Sequence, residues 1–92
     1  MIKNFRHKGL EEFFLNDNKK GIIPEHAGKL ARMLDRLDAS ISPDDMKLPG
    51  YKLHPLSGKE KGRWSVWVNG NWRITFEFEN QDALRVDYED YH

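Results

Sequence analysis

Residues 63–78 read RWSVWVNGNWRITFEF, two runs of alternating apolar and polar side chains with Asn69-Gly70 between them. Alternation with a period of two is typical of strands that bury one face. Asparagine and glycine both tolerate the positive φ that a two-residue hairpin turn requires, so this pair is a strong hairpin signal. The segment therefore predicts two antiparallel strands, over about 63–69 and 71–78.

Further strands are predicted on both sides of this hairpin. The period changes to two from Tyr51, which indicates a strand over about 51–56. A turn at 80–82 leads into a last strand over about 83–90, and a short strand over 2–5 opens the chain.

Two helices are predicted before the sheet. The first runs from His7 to about Asn16, with apolar residues at helical spacing, Leu10, Phe13 and Phe14. The second covers about 24–39, begins with Pro24 as its first residue, and has one apolar stripe formed by Ala27, Leu30, Ala31, Leu34 and Leu37. Residues 42–45 resemble a capping box and predict a short helical turn. Helices followed by strands predict an α+β fold.

Alternation assigns the two faces of the predicted sheet. One face takes the helices and holds Trp64, Val66, Val68, Trp72, Ile74, Phe76, Phe78, Leu84, Val86 and Tyr88. The other face is polar and carries Lys52, His54, Arg63, Ser65, Trp67, Arg73, Thr75, Asp87 and Glu89, and it leads into Asp90, Tyr91 and His92. A register slip of one residue would invert the assignment for a strand. The polar face is the predicted substrate floor.

Composition restricts the class of protein. The 92 residues form one predicted domain, 1–92, with 33% charged and 38% hydrophobic residues and no cysteine. No apolar run approaches the length of a membrane span, so a cytoplasmic protein without a membrane segment is expected. The formal net charge is zero, from 15 basic and 15 acidic residues. The central stretch is nevertheless basic, with Lys47, Lys52, Lys59, Lys61, Arg63 and Arg73.

The polar face has the side chains that metal-independent RNA cleavage requires. The ribose 2′-hydroxyl must lose a proton, the 5′-oxygen must gain one, and the phosphate charge must be neutralised. His54 and His92 are the acid–base candidates, since imidazole titrates near neutral pH. Arg73, and with it Arg63, would hold the phosphate. Asp90 would orient a histidine or accept the proton, and Tyr91 would donate a hydrogen bond or stack on a base.

Other interpretations of these residues remain open. Trp67 either stacks on a nucleobase or belongs to a second small core. Arg73 is alternatively an ion-pair partner of Glu77 or Glu89. His7 and His26 are expected at the surface. A metal site built from His54, Asp90 and His92 has no supporting ligand spacing.

Four blocks, YKLHPL at 51–56, GRWS at 62–65, NWRITF at 71–76 and DYEDYH at 87–92, closely resemble the HigB toxins of the RelE/ParE superfamily. The resemblance runs nearly end to end. It implies a RelE/ParE-like α+β fold with two N-terminal helices packed on one face of an antiparallel sheet. It also implies a type II toxin that cleaves messenger RNA at the ribosomal A site. The implied catalytic residues are His54, Asp90, Tyr91 and His92, with Arg73 as a phosphate contact. From the residues themselves, no metal or cofactor is expected.

The resemblance also implies partners. The family's usual antitoxin is a helix-turn-helix protein of the HigA type, and operator DNA would be bound only through it. Lys3, Arg6, Lys8, Lys19 and Lys20 are expected to dock on the ribosome. Relatives often have a lysine where this chain has Ser57. Either Lys52, Lys59 or Lys61 compensates, or the phosphate contact is weaker. The alternatives are a gyrase poison of the ParE type and a non-catalytic module that binds antitoxin or RNA.

Overall fold

The hairpin around Asn69-Gly70 forms the centre of a four-stranded sheet. A computed structural model describes residues 1–91 of the chain. The strands are β1 (His54–Pro55), β2 (Trp64–Asn69), β3 (Trp72–Glu79) and β4 (Asp82–Asp90). They lie in the order β1-β2-β3-β4, and every neighbouring pair is antiparallel.

Two helices precede the sheet. Helix α1 spans Lys8–Asn16, and α2 spans Ala27–Ala39 after a 3₁₀ turn over Pro24–His26. The His7 side chain caps α1 by accepting a hydrogen bond from the Leu10 amide. Helix α1 ends where Asp17 adopts a left-handed conformation and its amide bonds back to the last turn. Further 3₁₀ turns span Pro43–Met46, which has the predicted capping box, and Gly58–Glu60.

The helices and one face of the sheet enclose the hydrophobic core. The buried residues are Leu10, Phe13, Ile22, Leu30, Met33, Leu34, Leu37, Met46, Val66, Val68, Ile74, Phe76, Ala83, Val86 and Tyr88. The predicted apolar stripe of α2 included Ala31, but Ala31 is exposed, and Met33 is buried in the core. The predicted α+β arrangement is confirmed, and the opposite face of the sheet remains uncovered by the helices.

One face assignment was wrong because β4 contains a bulge. Leu84 was expected in the core, but Ala83 is buried there and Leu84 is only partly buried. The register shifts between Thr75 and Glu77 of β3, opposite Arg85, whose φ is 48°. Because β4 has one extra residue at the bulge, the alternation after it agrees with the prediction, and Val86 and Tyr88 lie on the core face.

The two ends of the predicted sheet also differ from expectation. The first strand is reduced to two residues, since Lys52 has a φ of 50° and interrupts the extended backbone. Residues 2–5 do not form a regular strand. They instead lie beside β4 with single parallel bridges, Ile2 to Ala83 and Phe5 to Val86. Within residues 1–91 no helix is long and apolar enough to cross a membrane.

Candidate active site

The uncovered face of the sheet carries an open cleft of about 440 Å³. It is lined by Lys52, His54, Pro55, Leu56, Ser57, Glu60, Ser65, Trp67, Gly70, Asn71, Trp72, Arg73 and Tyr91. Five predicted site residues, Lys52, His54, Trp67, Arg73 and Tyr91, therefore share one cavity. The sequence predictions did not include Glu60, whose carboxylate lies at the cleft wall.

Strand register explains why these side chains converge. His54 of β1 lies opposite Ser65, Ser65 opposite Thr75, and Thr75 opposite Asp87. Directly paired residues on antiparallel strands project from the same face with their Cβ atoms about 5 Å apart. A second row, Trp67 to Arg73 to Glu89, runs beside the first. Residues far apart in the chain are thus collected on one surface.

His54 is exposed, and two neighbouring groups orient its ring. Its Nδ1 lies 3.1 Å from the Lys52 carbonyl oxygen, to which it donates. With the proton on Nδ1, Nε2 carries the lone pair that a general base requires. The buried Ser65 hydroxyl lies 3.2 Å from that Nε2. The imidazole is therefore both held and accessible.

Arg73 places its guanidinium at the cleft, against the ring of Tyr91. Its guanidinium carbon lies 3.9 Å from the centroid of the Tyr91 ring. Its Nε is buried and has no hydrogen-bond partner among the described residues. A buried charged donor without an acceptor is costly unless an anion occupies the site. The role of Arg73 as a phosphate contact stays a prediction.

The end of β4 brings one residue of the predicted tail, Tyr91, to the cleft, whereas Asp90 is not among the residues that line it. Asp90 pairs in register with Trp72, and the Tyr91 amide then donates to the Asn71 carbonyl at 2.7 Å. This bond continues the strand pairing one residue beyond β4, which places the exposed Tyr91 ring on Arg73. The predicted catalytic residue His92 lies outside the described residues.

Two lysines contact the indole of Trp67. The Nζ of Lys52 lies 4.6 Å from the ring centroid, and the Nζ of Lys29 lies 4.5 Å from it. Lys29 also donates to the Val68 carbonyl at 2.7 Å. The indole Nε1 donates to the Gly70 carbonyl at 2.8 Å. Trp67 lines the cleft, where these two ammonium groups and the Gly70 carbonyl are its polar contacts.

The family model described as RelE-like toxin of type II toxin-antitoxin system HigB matches residues 3–92. The chain belongs to this HigB-like toxin family. As the toxin of a type II system, it has an antitoxin partner. The sequence motifs predicted that the chain is a HigB toxin, and the family match confirms this prediction.

Curated relatives support this membership. "Endoribonuclease HigB" of Proteus vulgaris is 41% identical over 92 residues, which cover 100% of both chains. "Toxin HigB-1" of Vibrio cholerae serotype O1 is 34% identical over 88 residues, covering 94% of this chain and 93% of the relative. An uncharacterized protein of Haemophilus influenzae is 31% identical over 83 residues, covering 88% of this chain and 82% of the relative.

In this HigB-like chain, Arg63 is part of a buried ion network and is not among the residues that line the cleft, and its contact with RNA stays a prediction. Its side chain is 4% exposed, and Nη1 lies 3.1 Å from the Glu77 carboxylate. Nη2 donates to the Thr75 hydroxyl and to the Arg85 carbonyl. Nε lies 3.3 Å from a Glu60 carboxylate oxygen. The guanidinium thereby links β3, the bulge of β4 and the cleft wall.

Lys59 and Lys61 also lie away from the cleft lining. Both are exposed, in or directly after the 3₁₀ turn Gly58–Glu60. Lys29, by contrast, reaches the Trp67 ring from the helical layer. The helical pattern of α2 did not indicate this role, because only the packing of α2 against β2 reveals which carbonyl its ammonium can reach.

The expected surface position of His26 was wrong. His26 is 6% exposed, and its Nδ1 is hydrogen-bonded to the Tyr88 hydroxyl at 2.6 Å. The ring meets Trp72 and Tyr88 edge-on. Burial raises the pKa of the Tyr88 hydroxyl, and a backbone hydrogen bond with Ile23 opposes that effect. This cluster supports β3 and β4 from the side opposite the cleft.

The question of a metal site concerns His54, Asp90 and His92. Among residues 1–91 no three histidine, cysteine, aspartate or glutamate side chains are grouped to hold a metal ion. His92 lies outside that range. Metal independence and the absence of a cofactor stay predictions.

Proposed function

We propose that this toxin is an endoribonuclease that cleaves translated messenger RNA in the ribosomal A site without a metal ion. The observation that carries the proposal is the guanidinium of Arg73, whose Nε has no hydrogen-bond partner among residues 1–91, in the same cleft as the accessible imidazole of His54. A cation for the scissile phosphate and a proton carrier are the groups that RNA cleavage needs. The name of the Proteus vulgaris relative, an endoribonuclease, supports the same reaction class.

The proposed reaction is an attack of the ribose 2′-oxygen on the adjacent phosphorus with departure of the 5′-oxygen. One of His54, Asp90 and His92 removes the 2′ proton, and another supplies a proton to the leaving oxygen. Arg73 donates to the phosphate oxygens as their charge increases. Tyr91, whose ring packs on the guanidinium, keeps that cation in position and offers its hydroxyl to the RNA. A 2′,3′-cyclic phosphate is the expected first product.

RNA is held beyond the reacting atoms by the wider basic surface. Lys52 lies in the cleft, and Lys59 and Lys61 extend the positive surface beside it. Because Lys59 and Lys61 are exposed and outside the cleft, we assign them to the flanking RNA or to ribosomal RNA. Ribosome docking uses the N-terminal basic residues, Lys3, Arg6, Lys8, Lys19 and Lys20, and depends strongly on salt.

The proposed partners follow from the reaction and the family. The antitoxin is a helix-turn-helix protein of the HigA type, and contact with operator DNA occurs through it. The site of action is the translating ribosome, which places the toxin in the cytoplasm.

The test is a defined translation reaction in which new RNA 5′ ends are mapped with and without ribosomes. The double variant His54→Ala/His92→Gln is compared with Glu25→Gln, a change at an exposed residue remote from the cleft. Ribosome-dependent ends at A-site codons, absent with the double variant and retained with Glu25→Gln, are expected. Absence of new ends from folded protein that binds its antitoxin would contradict the nuclease and favour a gyrase poison or a non-catalytic module.

A further inference from the structure

We infer that one nucleobase of the RNA stacks on the indole of Trp67. Lys29 holds the indole in place, and the Lys52 ammonium covers the ring face until the RNA displaces this ammonium. The inference rests on the proposed function, because it assigns a binding position to one nucleotide of the same RNA.

The indole of Trp67 is available only through its π surface. Its single polar atom, Nε1, already donates to the Gly70 carbonyl at 2.8 Å. Trp67 therefore has no remaining donor with which to recognise base edges. A ring of this kind binds any base by stacking, and such binding tolerates changes of sequence.

Lys29 and Lys52 contact the ring in different ways. Lys29 is partly buried, and its ammonium is tied to the Val68 carbonyl at 2.7 Å, so it belongs to the packed structure. Lys52 is exposed and comes from a backbone position with a φ of 50° next to the short β1. Stacking of a base on an aromatic ring is stronger than a solvent-exposed cation–π contact. A base therefore displaces Lys52 and leaves Lys29 in place.

The position lies within reach of the reacting phosphate. Trp67 and Arg73 are direct partners across β2 and β3, and both line the cleft with His54. Side chains so paired start about 5 Å apart, less than the span of one nucleotide. The stacked base thus belongs to a nucleotide adjoining the phosphate at Arg73. The displaced Lys52 ammonium remains beside the RNA backbone and gains a phosphate as its partner.

A double-mutant cycle between protein and RNA tests the stacking. The probes are short RNA strands with 2′-O-methyl groups, which prevent cleavage, used free and bound in the A site of programmed ribosomes. Each nucleotide is replaced in turn by an abasic residue, and the dissociation constant is measured by fluorescence anisotropy. Trp67→Leu should weaken binding by roughly 5- to 100-fold. One abasic position should weaken the wild type by a similar factor and leave Trp67→Leu unchanged.

Three further variants separate stacking from charge and folding. Trp67→Phe retains an aromatic face and should recover most of the affinity lost in Trp67→Leu. Lys52→Met should reduce the slope of log affinity against log salt by about one, since one phosphate contact is lost. Lys29→Met should weaken binding with the salt slope unchanged, because its ammonium stays on the protein.

The outcomes distinguish this inference from the proposed function. Coupling between Trp67 and one abasic position, without cleavage of native RNA, supports stacking and contradicts the nuclease. In a second outcome, native RNA is cleaved, and an abasic residue weakens binding to wild type and to Trp67→Leu by the same factor. This result would overturn the stacking inference and leave the proposed nuclease activity standing. Absence of binding to both free and ribosome-bound RNA overturns both.

Discussion

At the scale of single residues, Arg73 combines three properties. It faces the cleft, its guanidinium packs on Tyr91 at 3.9 Å, and its buried Nε has no partner among the described residues. Packing on an aromatic ring fixes the planar guanidinium, so that little side-chain freedom is lost when a phosphate binds.

Arg73→Gln is expected to lower kcat/KM on programmed ribosomes by roughly 10²- to 10³-fold, the usual cost of removing a donor to developing negative charge. Arg73→Lys should recover only part of this, because lysine keeps the charge but loses the planar donors and the stacking on Tyr91. Thermal unfolding midpoints serve as the control for folding. Equal activity of Arg73→Gln and wild type would remove Arg73 from the mechanism.

Arg63 is expected to act on stability. Arg63→Met leaves the buried Thr75 hydroxyl and the Arg85 carbonyl without this donor, and Glu77 keeps only its ion pair with the exposed Arg85, which should cost about 1–3 kcal/mol of unfolding free energy. Arg6→Met is the matched control, since Arg6 makes a surface ion pair with Glu60 at 3.9 Å. That change should cost less than about 1 kcal/mol. Urea denaturation of both variants measures the difference, and equal losses would contradict the network.

At the scale of secondary-structure elements, α1 and the loop before α2 meet at two glycines. A Cβ built on Gly9 would lie 2.7 Å from the Cα of Gly21, so the two backbones are in direct contact. No flexible side chain lies between them to absorb a larger residue. The close approach positions the first helix on the sheet.

Gly9→Ala is therefore expected to destabilise the protein by about 1–3 kcal/mol, as overpacking does, despite the better helix propensity of alanine. Gly28→Ala in α2 is the control. Its Cβ would meet only the end of the Arg32 side chain, at 3.6 Å. That variant should gain up to about 1 kcal/mol. Chemical denaturation checks both signs, and a stabilised Gly9→Ala would show that the helix and loop can separate at no cost.

At the scale of the whole molecule, the His26–Tyr88 pair links the turn before α2 to the last strand. Tyr88 is neutral when folded, and burial raises its pKa above the ordinary value of 10.0. At a pH between 10.0 and the pKa of the folded state, the Tyr88 hydroxyl is ionised in the unfolded chain and protonated in the folded chain. Stability from this group is therefore complete below about pH 10 and is lost as pH rises through the folded pKa.

Urea denaturation from about pH 8 to 11 should show a decline in unfolding free energy that is smaller in Tyr88→Phe. That variant has a lower stability at about pH 8, since the buried His26 loses its hydrogen-bond partner, so the slopes are compared and not the absolute values. Tyr91→Phe is the control, because Tyr91 is exposed and its variant should keep the wild-type slope. Identical slopes in wild type and Tyr88→Phe would assign the alkaline loss to other groups.

The order and type of the elements could be predicted from local patterns. Alternation around Asn69-Gly70 specified the central hairpin, and the spacing of Leu30, Leu34 and Leu37 specified α2. Side-chain period and turn chemistry are properties of neighbouring residues, so they are visible in the chain itself. The same alternation placed His54, Trp67 and Arg73 on one face. The resemblance of whole blocks to HigB toxins then supplied the family.

Only the packed structure could place the residues whose roles depend on distant partners. Because of the bulge at Arg85, Ala83 is buried in the core and Leu84 is only partly buried. Arg63 is buried in an ion network. His26 is hydrogen-bonded to Tyr88, which is 62 positions away in the chain. Lys29 reached the Trp67 ring from another layer. Bulges, ion networks and interlayer contacts depend on three-dimensional packing, in which the energy of one side chain is determined by residues remote in sequence. Sequence alone therefore determines the elements, the polar face and the family, whereas tertiary packing determines which of that face's charged residues remain exposed for RNA.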